Sequence, residues 1–312
     1  MSFTSITPYA AQHIDRQSAE LRLLDALCAG DVGAAAALFA QEQQFGGQSY
    51  LDAPQGRFEG KAAIEGFLRG WLGDFAADSA EVTPVTQTQG GGRSASEVTV
   101  HFCRAAGDID VPMCIVGDLR PNGMLDAARL YFYYGWVPGF SAYRRIVFKP
   151  EYQAATPVTL LTGCVKKYFD LLHADGDVHQ RIEDIAAICA PDVVYGGYRP
   201  DWVEPADVGL DGIRMHYLDI CTNAPENYIV RIETLVDDGV QAVVEWTLVV
   251  SPEGYAAGRV SQSGVAVYER DRETGLLRGI RICDNVGQEE NIDLDALPDD
   301  VRPLVAAHRA NA

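Results

Sequence analysis

The sequence predicts an α+β protein made of two tandem copies of one domain, each with helices first and a mostly antiparallel sheet last. Three observations carry that expectation. The chain repeats itself: Phe45-Gly46-Gly47 and Gly60-Lys61-Ala62-Ala63-Ile64 return as Tyr195-Gly196-Gly197 and Gly209-Leu210-Asp211-Gly212-Ile213. The offset is 150 residues at the first motif and 149 at the second. That is too long for a solenoid repeat of ~20–50 residues and is an ordinary domain length. Within each copy helical periodicity precedes strand-like alternation, the order of an α+β domain. Finally, 47% hydrophobic residues in a chain of 312 supply enough apolar material for two cores.

In the first copy Leu21, Leu23, Leu24, Ala26 and Leu27 mark an amphipathic helix over 16–29, closed by Gly30. Asp31 caps a short second helix that runs to Phe39. A strand is expected over 44–50, a helix over 61–72, and strands over 81–88, 95–104, 110–118 and 127–134. The second copy repeats this order, with helices over 158–173 and 180–189, a strand over 193–198 and a helix over 210–221. Its closing strands fall at 227–236, 240–250, 257–270 and 277–284, and Asp237-Asp238-Gly239 is a hairpin turn signal. An aperiodic stretch between Lys149-Pro150 and Thr156-Pro157 separates domain 1, residues 1–152, from domain 2, residues 153–312. The second ends in an acidic tail, where 297–308 reads equally as a docking helix or a frayed end.

The net charge of −19 repels nucleic-acid phosphates and anionic membrane surfaces. The first twenty residues lack the basic start and apolar core of a secretion signal, and no apolar run reaches the ~18–20 residues that cross a bilayer. A cytoplasmic protein with no membrane partner is therefore expected. Seven scattered cysteines without a CxxC read as reduced, buried thiols. There is no HExxH, no GxGxxG or GxxxxGK[ST], and no GxSxG. Neither a metal site, a nucleotide cofactor nor a nucleophile elbow is expected.

The order helix–helix–strand–helix and then four strands, with Gly-x₃-Ile opening the third helix, resembles the NTF2-like superfamily. The SnoaL-like branch, related to polyketide cyclases, ketosteroid isomerases and limonene-epoxide hydrolases, is the nearer likeness. It is carried by Phe45 and Tyr195, by Gly60 to Ile64 and Gly209 to Ile213, and by the last strand, Gly275-Leu276-Leu277-Arg278-Gly279-Ile280-Arg281-Ile282-Cys283-Asp284. The resemblance implies two cones, each a curved sheet wrapped over helices with a ligand cavity open at one end. It also implies an intrachain pseudo-dimer joined through the outer sheet faces, with a further homodimer open to it. This fold hosts isomerases, cyclases, hydrolases and plain binding proteins, so the substrate is not legible beyond a small hydrophobic metabolite.

Candidate site residues lie mostly in the second copy. Asp284 alternates in phase with Ile280 and Ile282, which turns it toward the core or cavity mouth; SnoaL-like proteins often carry a catalytic Asp there. A carboxylate in an apolar cone has a raised pKa and suits general acid/base work. Glu245 interrupts an otherwise uncharged strand, and its phase with Val243, Thr247 and Val249 favours the outer face, where Arg281 is a candidate cross-strand partner. Arg259, with Gln262 and Arg281, offers donors to an oxyanion. His216 is a candidate base on the third helix, although a helix His is more often a packed one. Tyr195 and Tyr198 either line the cavity or donate to a developing enolate, while Asp192 reads as a turn cap. The first copy has Phe132 or Tyr134 near the place of Asp284, an aromatic wall suited to a flat ligand. Its His101 is a strand histidine without an evident carboxylate partner. The expectation is a cofactor-independent isomerase or cyclase. Its alternatives are an epoxide hydrolase using Glu245, Asp284 and Arg259, and a non-catalytic binding protein.

Overall fold

The computed structural model describes residues 14–41, 44, 47–132, 157–172, 174, 176–197, 207–223, 229–249, 259–260, 262–284 and 290–291. Of residues 207, 219–223, 229–231, 247–249, 259–260, 262–263, 284 and 290–291 the backbone alone is described. Phe45, Tyr134, Tyr198, the expected join at 152/153 and the segment 297–308 lie outside these ranges. The chain divides into two compact units, Met1–Val147 and Phe148–Ala312.

The first unit runs α1 (Ala19–Cys28), α2 (Val32–Ala36), β1 (Tyr50–Ala53), β2 (Gly56–Glu59), α3 (Gly60–Asp74), β3 (Ser79–Gly90), β4 (Arg93–Cys103), β5 (Ile109–Leu119) and β6 (Leu125–Tyr131). Its sheet has the order β2-β1-β6-β5-β4-β3. The second unit runs α4 (Gly163–Leu172), α5 (Val178–Ala187), β7 (Cys189–Gly197), β8 (Asp207–Val208), α6 (Gly209–Asn223), β9 (Ile229–Asp237), β10 (Gln241–Val249), β11 (Arg259–Val260), β12 (Gln262–Arg270), β13 (Leu277–Asp284) and β14 (Glu290–Asn291). Its main sheet, β8-β7-β13-β12-β10-β9, matches the first strand for strand, and β11 pairs with β14 apart from it. In both sheets the pair β1–β6 or β7–β13 is parallel, and the other neighbours are antiparallel.

Two helices open as the repeat motif implies. Gly60 and Gly209 hold φ of +78° and +74°, a left-handed conformation that L side chains resist. Four residues on, Ile64 and Ile213 drop into the core at 1% and 0% exposure. Asp31 caps α2, its carboxylate accepting the Ala34 N–H at 2.9 Å.

Three expectations need correction. The strand expected over 44–50 is a hairpin, β1 and β2, turning at Pro54-Gln55, a turn that the sequence reading passed over. The helix expected over 158–173 is a 3-10 turn at Val158–Leu160 followed by α4, because Gly163 takes a left-handed φ of +55°. Asp192 is a residue of β7 rather than a turn cap, and its carboxylate accepts from Arg278.

A methyl group on Gly209 would sit 3.2 Å from the Pro191 carbonyl oxygen. Gly209→Ala is therefore expected to cost about 1–2 kcal/mol from backbone strain alone, while Gly66→Ala, with open space around it in α3, gains about 0.5–1 kcal/mol. Urea unfolding of the two variants checks the pair; equal shifts would show that the left-handed residue is not what opens the helix.

Candidate active site

In the second unit one face of the sheet packs on the helices. Ala242, Val244 and Trp246 of β10, Ala266 and Tyr268 of β12, Ile280 and Ile282 of β13, and Tyr195 of β7 join Tyr168 of α4 and Tyr217 of α6 in one core. Alternation along the strands selects the first set, and the i, i+4 step from Ile213 to Tyr217 selects the last. Tyr268 lies opposite Ile280, and Ile280 lies beside Tyr195, so both phenols stand in one row across three strands. Four tyrosines from four separate elements thus meet in an apolar interior.

Three of the hydroxyls, those of Tyr168, Tyr217 and Tyr268, bond one another. Tyr168 and Tyr217 are hydrogen-bonded oxygen to oxygen, and Tyr168 also bonds Tyr268. The ring of Tyr168 stands edge-on to that of Tyr217 at 5.9 Å and tilted against that of Tyr268 at 5.2 Å. Burial pushes all three phenol pKa values up, because a phenolate has no water here. The cluster is neutral at physiological pH. His216, half-buried, packs its ring 3.7 Å from that of Tyr195.

Asp284 is the last residue of β13, two beyond Ile282. Its backbone lies opposite Gly264, which in turn lies opposite Trp246. Glu245 belongs to the other face. It stands level with Val265 and Cys283, is fully buried, and accepts a hydrogen bond from the Thr234 hydroxyl. Arg281, expected as a partner of Glu245, pairs with Glu269 at 2.8 Å. Arg259 belongs to the small β11–β14 pair, opposite Asn291, and not to the main sheet.

The first unit repeats the outer-face pairs and changes the interior. The Thr86 hydroxyl donates to Glu97 at 2.6 Å, as Thr234 does to Glu245, and Arg129 pairs with Asp118 at 2.7 Å, as Arg281 does with Glu269. Burial raises the Asp118 carboxyl, but the guanidinium groups of Arg129 and Arg93 outweigh it and hold it at about 2. Glu97 lies level with Cys114 and Tyr131, just as Glu245 lies level with Val265 and Cys283. Phe132, one residue past Tyr131, therefore occupies the place of Asp284. Inside, Trp71, Phe75, Phe102 and Phe132 pack ring on ring at 4.1–6.1 Å with no hydroxyl among them. Farther along the helix-facing side Glu20, fully buried, accepts from Gln87, Ser94 and Ser96 at 2.8, 2.5 and 3.1 Å.

His101 has the carboxylate partners that the sequence reading did not find. Its Nδ1 lies 2.8 Å from Asp110 and its Nε2 lies 3.9 Å from Asp108. Sequence reasoning also missed Tyr168, Tyr217 and Tyr268 as a group, and Glu97. The last had a usable signal: Thr-x₁₀-Glu spans the same hairpin in both copies.

A helix layer on a mixed, mostly antiparallel sheet, twice over, defines an α+β protein of two sheet-and-helix units. Residues 165–278 match the SnoaL-like domain family, and the second unit carries a SnoaL-like domain. No curated protein matches the chain. Among solved structures, the chain is similar to Bal32a from a soil-derived mobile gene cassette, at 21% identity over 37% of this chain and 88% of that one, with a TM-score of 0.31. It is similar to SalBIII, an epoxide hydrolase/cyclase-like enzyme of pyran ring formation in the polyether salinomycin, at 16% identity over 35% and 84%, TM-score 0.29. A third is an LEH-like epoxide hydrolase of M. tuberculosis, at 20% identity over 36% and 79%, TM-score 0.30. Among the described residues no helix is long and apolar enough to cross a membrane.

The buried phenols make a prediction about alkaline pH. The folded state favours their neutral form, so their stabilisation is complete below the ordinary tyrosine pKa of about 10 and is lost as pH rises above it. Phenolate absorbance is expected to lag behind that of exposed tyrosines until the chain unfolds, and Tyr217→Phe to flatten the loss of stability with pH. Ionisation of all phenols together in the folded protein would show that the cluster is wet.

Proposed function

We propose that the second unit is a cofactor-independent isomerase or cyclase that acts on a small hydrophobic metabolite by general acid/base proton transfer. The observation that carries this reading is the hydroxyl pair of Tyr168 and Tyr217 in an apolar interior, in one core with Ile280 and Ile282 of the strand that ends in Asp284. Its parts suit one chemistry. A carboxylate takes a proton from carbon beside a carbonyl, and the electron pair moves onto the carbonyl oxygen. A protonated phenol then donates to that oxygen where water cannot compete. Return of the proton at a second carbon is isomerisation. Attack of the enolate carbon on a second carbonyl carbon of the same molecule closes a ring, the π pair of that carbonyl moving onto its oxygen, which takes the proton held by the carboxylic acid. Asp284 is assigned the proton transfer, Tyr217 and Tyr168 the oxyanion, and Tyr195 with His216 the wall.

The hydrolase reading ranks below this one. It needs Glu245 and Asp284 to share a water, and Glu245 is fully buried and already accepts from the Thr234 hydroxyl. The first unit, with Phe132 at the equivalent position and an aromatic cluster without hydroxyls, is assigned a supporting role.

The test is mass-spectrometric screening of polyketide, terpenoid and steroid-like compounds with the wild-type protein, Asp284→Asn and Tyr217→Phe. Conversion by wild type is expected to fall about 10²–10⁴-fold in Asp284→Asn and about 10²–10³-fold in Tyr217→Phe, with ligand binding kept in both. Tight binding with no conversion by the wild type would make the unit a binding protein instead.

A further inference from the structure

The far end of the β4–β5 hairpin in the first unit gathers three different metal-ligating groups. His101 and Cys103 lie two apart on β4 and so share a face, and Asp108 returns across the turn just before β5. One donor atom from each of His101, Cys103 and Asp108 falls within 4.8 Å of the others. We propose that these three side chains bind a divalent transition-metal ion, zinc by preference, with a fourth position left open to water.

The donor set fits that ion. Imidazole, thiolate and carboxylate together suit zinc, which is borderline in softness and accepts all three. Two ligands at about 2.0–2.1 Å from a tetrahedral zinc stand roughly 3.4 Å apart. His101 Nε2 and the Oδ2 of Asp108 stand 3.9 Å apart, so a small rotation of the half-exposed side chains closes the site. The other oxygen of Asp108 accepts the Arg104 backbone N–H at 3.1 Å, which orients the carboxylate from behind.

The strongest indication is the arrangement around the histidine. Its Nδ1 is 2.8 Å from Asp110 Oδ1, and Asp110 lies directly opposite His101 in the β4–β5 register. A metal-bound imidazole commonly gives its second N–H to a carboxylate, which fixes the tautomer and leaves the far nitrogen free to ligate. That geometry stands here, with Nε2 on the side of Asp108. Binding replaces the thiol proton of Cys103 by the metal and releases it to solvent.

Cys103 also stands apart from the other thiols. Among the six described cysteines it alone is not buried, whereas burial pushes Cys28 and Cys189 up to about 12. A thiolate–metal bond at neutral pH therefore reports on this hairpin. The site belongs to the first unit and does not rest on the function proposed for the second.

The test is titration of the full chain with Co²⁺, followed by displacement with Zn²⁺, reading the thiolate-to-cobalt charge-transfer band. The expected result is one band that saturates at one ion per chain, disappears on zinc addition and is absent in Cys103→Ser. Asp110→Asn, which keeps all three ligands, is expected to weaken cobalt binding about 10–100-fold with the circular dichroism of the fold unchanged. The proposal is overturned if the wild type gives no band at saturating cobalt, or if the band survives in Cys103→Ser. Unchanged affinity in Asp110→Asn would overturn the role given to that carboxylate.

Discussion

The interaction on which each unit depends is the parallel pairing of the strand before the third helix with the last strand of the sheet. β1 lies along β6 with Leu51 level with Ala128, and β7 lies along β13 with Tyr195 level with Ile280. Parallel neighbours cannot be joined by a tight turn and need a long crossover. Here the crossover contains the third helix and the three strands after it. The chain must therefore leave the sheet, lay the helix across one face, and return through antiparallel hairpins. One face becomes helix-covered and apolar, and the opposite face is left to side chains that pair with one another.

On that opposite face charge is handled alike in both units. Thr86–Glu97 and Thr234–Glu245 satisfy a buried carboxylate with a hydroxyl, while a guanidinium neutralises the part-exposed Asp118 in Arg129–Asp118 and the buried Glu269 in Arg281–Glu269. Such pairs are costly to break singly, about 3–5 kcal/mol for a buried ion pair that loses one member. They resist piecemeal replacement for that reason. The helix-facing side has no such lock. A phenol adds one hydroxyl to a core, and an unpaired buried hydroxyl costs about 1–3 kcal/mol, so phenols are tolerated there only in company. Tyr168, Tyr217 and Tyr268 bond among themselves in the second unit, and in the first unit Trp71, Phe75, Phe102 and Phe132 pack with no hydroxyl among them.

Much of the architecture was legible in the residues, and for definite reasons. Gly-x₃-Ile marked both third helices because a left-handed residue must precede a buried one. The alternation placed Ile280 and Ile282 on the helix-facing side because period two admits no other phase. The outward phase of Glu245 followed from Val243 in the same way. What was not legible depended on contacts between distant segments. Tyr168, Tyr195, Tyr217 and Tyr268 each read as an ordinary core aromatic, since one-dimensional patterns report which residues go inside and not which hydroxyls meet there. His101 looked unpartnered because Asp108 and Asp110 reach it across a turn. The β1–β2 hairpin was lost for a simpler reason: Pro54-Gln55-Gly56 is a turn signal that was passed over.

The same distinction explains where chemistry can enter such a chain. The outer-face pairs hold their charges by mutual neutralisation, and a carboxylate held at about 2 by two arginines, as Asp118 is, is a poor base at any physiological pH. A carboxylate that works as a base must instead sit among groups that raise its proton affinity or strengthen its hydrogen bonds in the transition state. The helix-facing side of the second unit supplies such a setting, because its polar groups are neutral donors in an apolar core. Between the two copies the change needed is small in sequence and large in chemistry. It amounts to an aspartate in place of Phe132 and phenols in place of hydrocarbon, on a frame whose register stays the same.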